Sequence, residues 1–175
     1  MIEEKLEQLK NEKDKFVSEL KNWSSDQLSW AENDEWNALK ILEHVITSEH
    51  GTLAYLKKKT QAAAEDIPVA GDLQNARELN EALISDKKWK APEVLPVPQG
   101  NSTLDEQAQY WEILRMKVNV FFKGLDASYH NRLIFNHPLA GRLDTEQTLE
   151  FMINHIVHHG HQIKRLKARL ESLQD

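Results

Sequence analysis

Apolar residues recur along most of this chain at intervals of three, four and seven positions, the spacing of one face of an amphipathic helix. The first such segment covers about residues 2–22, with Lys and Glu on its opposite face. A second begins in the run 32–34, with Asp34 as its expected N-cap, and continues to the lysines at 57–59. Cations in a last helical turn suit the helix dipole, so this helix is expected to end there.

Two further amphipathic helices are predicted in the second half of the chain. One begins near Ser102 or Thr103, because an acidic residue follows each of them three positions later, as in a capping box. Its apolar positions repeat every seven residues, the pattern of a helix that packs against other helices. The other covers about residues 145–172 and begins after Asp144, its expected N-cap.

The segment 61–102 interrupts this pattern and contains four of the five prolines. A short helix is expected over about 73–84, and the piece from Pro92 to Pro98 must be extended. A connection this long, between the second and third long helices, can cross a bundle and is often functional or packs as a lid. The pattern as a whole predicts an all-α fold, a four-helix bundle that forms a single domain over residues 1–175.

The composition excludes several classes of protein. The chain has no cysteine, which excludes a disulfide framework, a thiolate nucleophile and a cysteine-ligated metal site. A net charge of −6 argues against a dedicated nucleic-acid-binding protein. The N-terminus is charged throughout, and no stretch approaches the roughly 18 consecutive apolar residues of a membrane span. We therefore expect no membrane partner and a cytoplasmic location.

The chain has eight histidines, and half of them fall within one seven-residue stretch of the fourth helix. His155 and His159 are four residues apart, so they differ by about 40° around the helix axis and share one face. Two such imidazoles can reach one metal ion, and catalytic zinc typically has three protein ligands and a water. His44 is the expected third ligand, because Ser48 and Gly51 leave room beside it. The alternative is that these histidines are hydrogen-bonded core residues that hold no metal.

The other histidines carry weaker signals. We expect His50, His130 and His137 at the surface or in loops. His158 is expected on the flank of its helix, and His161 is expected to face solvent.

Several polar residues near the histidines are candidates for catalysis. Glu49, His50 and Tyr55 follow His44 on the second helix and can handle protons, but their spacing does not select among them. Gln162 lies on the same line as His155, where it can orient a ligand or a metal-bound water, or pack beside a metal ligand.

Three features occur in order along the chain. Trp36 precedes His44 by eight positions, and the last helix carries His-x-x-x-His-x-x-Gln-Ile from His155 onward. The segment that contains this second motif reads HPLAGRLDTEQTLEFMINHIVHHGHQIKRL. With these features the chain resembles the DinB/YfiT-like superfamily over nearly its whole length. Gly160 stands where many members have an arginine, which leaves ligation untouched but removes any role of that basic residue.

The resemblance implies an up-down-down-up four-helix bundle, often homodimeric. It also implies a divalent metal, usually zinc or nickel, held by three histidines that correspond here to His44, His155 and His159. Characterised relatives include transferases and isomerases that use a low-molecular-weight thiol as a cosubstrate.

Three functions are compatible with this sequence. The first is a metal-dependent transferase that activates a small thiol for attack on a small-molecule electrophile. The second is a metal-dependent hydrolase in which a metal-bound water attacks. The third is a non-catalytic bundle that serves binding or dimerisation.

Overall fold

The computed structural model describes residues 1–33, 35–71, 74–84, 96–138 and 141–173. Its α-helices are α1 (Ile2–Lys21), α2 (Ser25–Ser29), α3 (Ala38–Lys59), α4 (Gln74–Ile84), α5 (Leu104–Gly124) and α6 (Thr145–Ser172). Two short 3-10 helices cover Ala64–Asp66 and Ala127–Tyr129, and the strands β1 (Phe135–His137) and β2 (Gly141–Leu143) form an antiparallel hairpin. The predicted all-α class is confirmed, since the described structure is mostly helical.

The four long helices predicted from the hydrophobic pattern correspond to α1, α3, α5 and α6. Their caps explain where two of them begin. Thr103 and Glu106 form a reciprocal capping box at the start of α5, and Asp144 and Gln147 form another at the start of α6. Each box satisfies backbone N–H groups that the first helical turn leaves without an intrahelical partner.

The predicted start of α3 is wrong. The helix begins at Ala38, after Asn37, whose side chain accepts a hydrogen bond from a backbone N–H of the first turn. Asn33 has a φ of 53°, which is left-handed backbone that an α-helix cannot contain. Asp34, the N-cap expected from the sequence, lies outside the described residues.

The connection between α3 and α5 contains the predicted short helix, observed as α4. Most of the piece from Pro92 to Pro98 lies outside the described residues, but its end is fixed to α3. The backbone N–H groups of Gln99 and Gly100 both donate to the Glu43 carboxylate. Gly100 has a φ of 69°, and a Cβ there would lie 2.9 Å from the Lys40 side chain, so this close approach requires glycine.

Two elements escaped the hydrophobic pattern because they are short. Ser24 and Gln27 form a capping box that starts α2, a helix of only five residues. In the hairpin, β1 faces Phe135 and His137 inward and contacts α3, while β2 contacts α4. Strands of three residues are too short for their alternation to stand out in the sequence.

The long helices pack so that α1 and α3 each contact both α5 and α6. Their buried apolar side chains form one cluster, with Leu9, Ile41, Trp111 and Leu149 fully buried. Because α4 packs along α6, and α3 lies against both α6 and β1, the region where α3 meets α6 is covered on several sides. In the described part of the chain, no helix combines the length and apolar character needed to cross a membrane.

Candidate metal centre

The three histidines singled out by their spacing come together where α3 packs against α6. One nitrogen from each of His44, His155 and His159 lies within 4.8 Å of the others. The ring centroid of His44 lies 5.2 Å from that of His155 and 4.8 Å from that of His159. His44 and His159 are buried and His155 is half-buried. These residues form a group that could hold a metal ion.

A hydrogen bond sets the orientation of one of these rings. The amide oxygen of Gln162 lies 2.9 Å from Nδ1 of His159, and an amide oxygen only accepts hydrogen bonds. Nδ1 of His159 therefore carries the proton, and its Nε2 presents a lone pair. Histidines that bind metals usually donate their second ring N–H to a fixed partner in this way.

The lone pair of His159 points at its neighbour. Nε2 of His159 lies 3.1 Å from Nε2 of His155. Two lone pairs at that separation repel, so the contact needs a proton or a cation between the nitrogens. Two ligands about 2.0–2.1 Å from a tetrahedral zinc ion would themselves be separated by about 3.3 Å, close to the observed distance.

The donor set also fits a transition metal in its chemistry. Imidazole nitrogens suit zinc and nickel, and three protein ligands leave at least one coordination position for water or substrate. The residues present therefore fit a divalent ion held by His44, His155 and His159.

Burial keeps these imidazoles neutral, which is the form that binds a metal. It lowers the pKa of His44 to about 4, and the nearby His158 acts in the same direction. It lowers the pKa of His159 to about 3, with His44 as the next contribution. The pKa of His155 also falls well below its usual value, first because of burial and then because of His159 and His44.

Aromatic rings line the cluster. Trp36 packs on His44 with ring centroids 5.1 Å apart, which explains physically why a tryptophan precedes this histidine. Phe151 lies 5.5 Å from His155, and His137 lies 4.5 Å from Phe151. These rings shield the imidazoles from bulk water.

His137 corrects one expectation from the sequence. It was expected at the surface or in a loop, but β1 turns it inward, where it is 8% exposed. Burial lowers its pKa to about 4. The only signal for this in the sequence is the alternation Phe135–Asn136–His137, which places Phe135 and His137 on one face of a strand.

The other histidines divide into exposed and structural residues. His50 and His130 are exposed, as expected. His158 has a defined role, since its Nδ1 lies 3.0 Å from the backbone oxygen of Leu83 and so attaches α4 to α6. His161 was expected to face solvent, but it is half-buried, and its Nδ1 has no hydrogen-bond partner among the described residues.

The candidate catalytic residues lie in different surroundings. Gln162 contacts His159 directly, while Tyr55 is 40% exposed and packs on Phe135. Glu49 is buried, and its Oε2 accepts hydrogen bonds from the Trp111 indole at 2.9 Å and from Arg115 at 2.6 Å. Burial raises the pKa of Glu49, and Arg115 and Trp111 oppose that change.

Arg115 was missed by the sequence reasoning. It lies four residues after Trp111, so the helical period places it on the buried face of α5. Lys13 gives the same signal between Leu9 and Phe16 on α1, and it is buried too. In both helices, a charged residue at an apolar position of the helical pattern is the sequence signal for a buried charge.

A small cavity lies between α3 and α6, next to the histidine cluster. Its volume is about 10 Å³, the room for about one water molecule. The lining combines polar side chains with apolar ones: Ser48, Glu49, Thr52, His155, Val45, Phe151, Met152 and Ile156. Glu49 and His155 therefore border one shared space.

Comparison with known proteins gives one match. The sequence model of the DinB superfamily matches residues 8–163, which include all three clustered histidines and Gln162. Neither a curated protein nor a solved structure matches the chain. Since the matched segment is far more than half of the chain, the protein belongs to the DinB superfamily.

Proposed function

We propose that this protein is a metal-dependent enzyme of the DinB type, with zinc or nickel held by His44, His155 and His159. The observation that carries the proposal is the geometry of the cluster. Three imidazoles with depressed pKa values converge, and the hydrogen bond between Gln162 and Nδ1 of His159 turns the Nε2 lone pair of His159 toward the other imidazoles. Buried polar atoms require partners, and a cation at the centre of the cluster would supply one partner to all three imidazoles.

The residues around the cluster would shape the reaction. A bound divalent ion supplies a Lewis acid that lowers the pKa of a water or thiol at its open position. Trp36 and Phe151 exclude water from two sides, and Gln162 holds His159 in one orientation. A small-molecule substrate, rather than a nucleic acid or an anionic membrane surface, agrees with the net charge of −6 of the chain.

A thiol transfer is the reaction that we propose, because characterised relatives include thiol-dependent transferases and because it agrees with the composition. The chain has no cysteine, so the sulfur must belong to a low-molecular-weight cosubstrate. In this reaction the thiol loses its proton, its sulfur bonds to the electrophilic atom, and the leaving group departs with its electron pair.

The first experiment measures metal content. Protein purified without a histidine tag is expected to bind about one equivalent of zinc or nickel. His44→Ala and His159→Ala are each expected to bind less than about a tenth of an equivalent, whereas the exposed control His130→Ala keeps the wild-type content. Equal metal content in all four proteins would contradict the three-histidine site.

The second experiment tests the thiol. Metal-loaded protein is incubated with an electrophile, with and without a panel of low-molecular-weight thiols, and consumption of the electrophile is followed. Turnover that requires a thiol supports the transferase. Turnover that ignores every thiol would replace it with the hydrolase, and no turnover with any pair would favour a non-catalytic binding protein.

We also propose an architecture and an assembly. The four long helices form one up-down-down-up bundle domain, supported by the contacts of α1 and α3 with both α5 and α6.

The protein forms a homodimer, supported by an exposed apolar stripe on α5 made by Ile113, Met116 and Val120. Light scattering coupled to gel filtration measures the mass, and a monomer at micromolar concentration would refute the dimer.

A further inference from the structure

The two carboxylate oxygens of Glu49 differ in their hydrogen bonding. Its Oε2 accepts from both Trp111 and Arg115, whereas its Oε1 is buried and has no hydrogen-bond partner among the described residues. A buried carboxylate oxygen without a partner is costly, so such an atom usually has an unseen partner such as water.

The cavity between α3 and α6 supplies a place for that partner. Glu49 borders it, and its volume of about 10 Å³ suits a single water. Buried waters typically make about three hydrogen bonds. The Ser48 and Thr52 side chains also line this space, so it offers polar contacts beyond Glu49.

His155 lies on the other side of the same cavity. Its Nε2 faces His159, so its Nδ1 lies on the opposite part of the imidazole ring. No described residue forms a hydrogen bond with this Nδ1. A metal-binding histidine usually donates its second N–H to a carboxylate, a carbonyl or a water. His159 has Gln162 for this purpose, whereas His155 has no such partner within the described part of the chain.

We propose that one water in this cavity joins Oε1 of Glu49 to Nδ1 of His155, which makes Glu49 a positioning residue for a metal ligand. The inference rests on the proposed function, because it treats His155 as a ligand. The water donates one hydrogen to Oε1 of Glu49 and accepts the Nδ1–H of His155. Arg115 and Trp111 hold Glu49 from the side of α5, so the orientation of His155 depends on three helices.

A crystal structure of the purified protein tests the water directly and needs no bound metal. We expect one ordered water within about 3.2 Å of both Oε1 of Glu49 and Nδ1 of His155. A dry cavity, or an Oε1 that is bonded to another protein group, would overturn the proposal.

Zinc affinity, measured by competition with a chromophoric chelator, tests the effect of Glu49 on the site. The matched variants are Glu49→Gln/Arg115→Met and Glu49→Met/Arg115→Met. Both lack the buried ion pair, and they differ in whether residue 49 can form a hydrogen bond with the water. We expect the variant with Gln to bind zinc about 10–100-fold more tightly, the usual effect of an outer partner of a metal ligand.

The outcomes separate the two proposals. Equal zinc affinity in the two folded double variants would overturn the role of Glu49 and leave the three-histidine site standing. Wild-type protein that binds no zinc or nickel would refute the proposed function, and the crystal structure would still decide whether the water is present. Circular dichroism spectra that match the wild-type spectrum establish that both variants are folded.

Discussion

Helix α3 contributes side chains to two buried polar groups. In one group the side chains are neutral, and in the other two opposite charges are paired. Toward α6 it places His44 in a cluster of imidazoles whose pKa values are lowered by burial. Toward α5 it places Glu49 against the guanidinium of Arg115. Burial disfavours charge in both places, but only the second group contains a fixed countercharge. The histidine cluster, which contains no paired charge, is therefore the group that could hold a cation.

The charged group extends further across the core than the histidine cluster. Lys13 on α1 is 5% exposed and pairs with Glu112 of α5 and with Asp14. Lys13 also acts on Glu49, in the direction that lowers its pKa. The charges therefore connect α1, α3 and α5, whereas the histidines connect α3 with α6.

The largest expected effect comes from removing one partner of the buried ion pair between Glu49 and Arg115. Arg115→Met leaves the buried Glu49 carboxylate without its countercharge, and we expect the free energy of unfolding to fall by about 3–5 kcal/mol. Urea unfolding of the metal-free protein measures the change. Glu49→Met/Arg115→Met is the control, and it should recover most of the loss because no charge remains buried. A double variant as unstable as the single one would show that packing, rather than charge, causes the loss.

A smaller effect is expected on the side of the histidines. Gln162→Leu removes the acceptor that holds the proton on Nδ1 of His159, so we expect zinc affinity to fall about 10–100-fold. The stability of the metal-free protein should change little, because Gln162 is only half-buried. Chelator competition measures the affinity, with the exposed Lys164→Leu as the control. An unchanged affinity would remove Gln162 from the site.

A further effect concerns pH, and it is small over any single pH unit. His137 has a folded pKa of about 4 and an unfolded value near 6.5, so the unfolded chain binds the extra proton between these values. Its contribution to stability is therefore complete above about pH 6.5 and is lost as the pH falls toward 4. In His137→Phe, the free energy of unfolding should change less steeply with pH, by at most about 1.4 kcal/mol per pH unit. Urea unfolding at several pH values, with a chelator present, measures this slope. Parallel pH profiles for the two proteins would contradict the buried, neutral imidazole.

Periodicity made the long helices and the histidine cluster predictable. His155 and His159 share a face because they are one helical turn apart, and the cap at Asp144 is local to its own helix. The start of α3 could not be read in this way, because Asn37, with its extended backbone, is the N-cap, and its sequence signal competes with that of the polar residues just before it. Patterns that lie within one helix are therefore the ones that the sequence predicts well.

Contacts between helices were harder to predict. The pairing of Glu49 with Arg115 joins residues on α3 and α5, and neither sequence neighbourhood reveals the other partner. The inward turn of His137 depends on a hairpin with strands of three residues. In both cases the decisive interaction is tertiary, so local propensity carries little information about it.

The distribution of the three histidines along the chain has a consequence for folding. His44 lies on α3, while His155 and His159 lie on α6, after α4, α5 and the hairpin. Contacts between residues so distant in sequence form late, because a long loop must close before they can form. An ion that needs all three imidazoles would therefore bind the folded chain and scarcely the nascent one, and it would stabilise only the folded state by mass action. The supply of metal would then influence how long a finished molecule stays folded, and have little influence on how quickly it first folds.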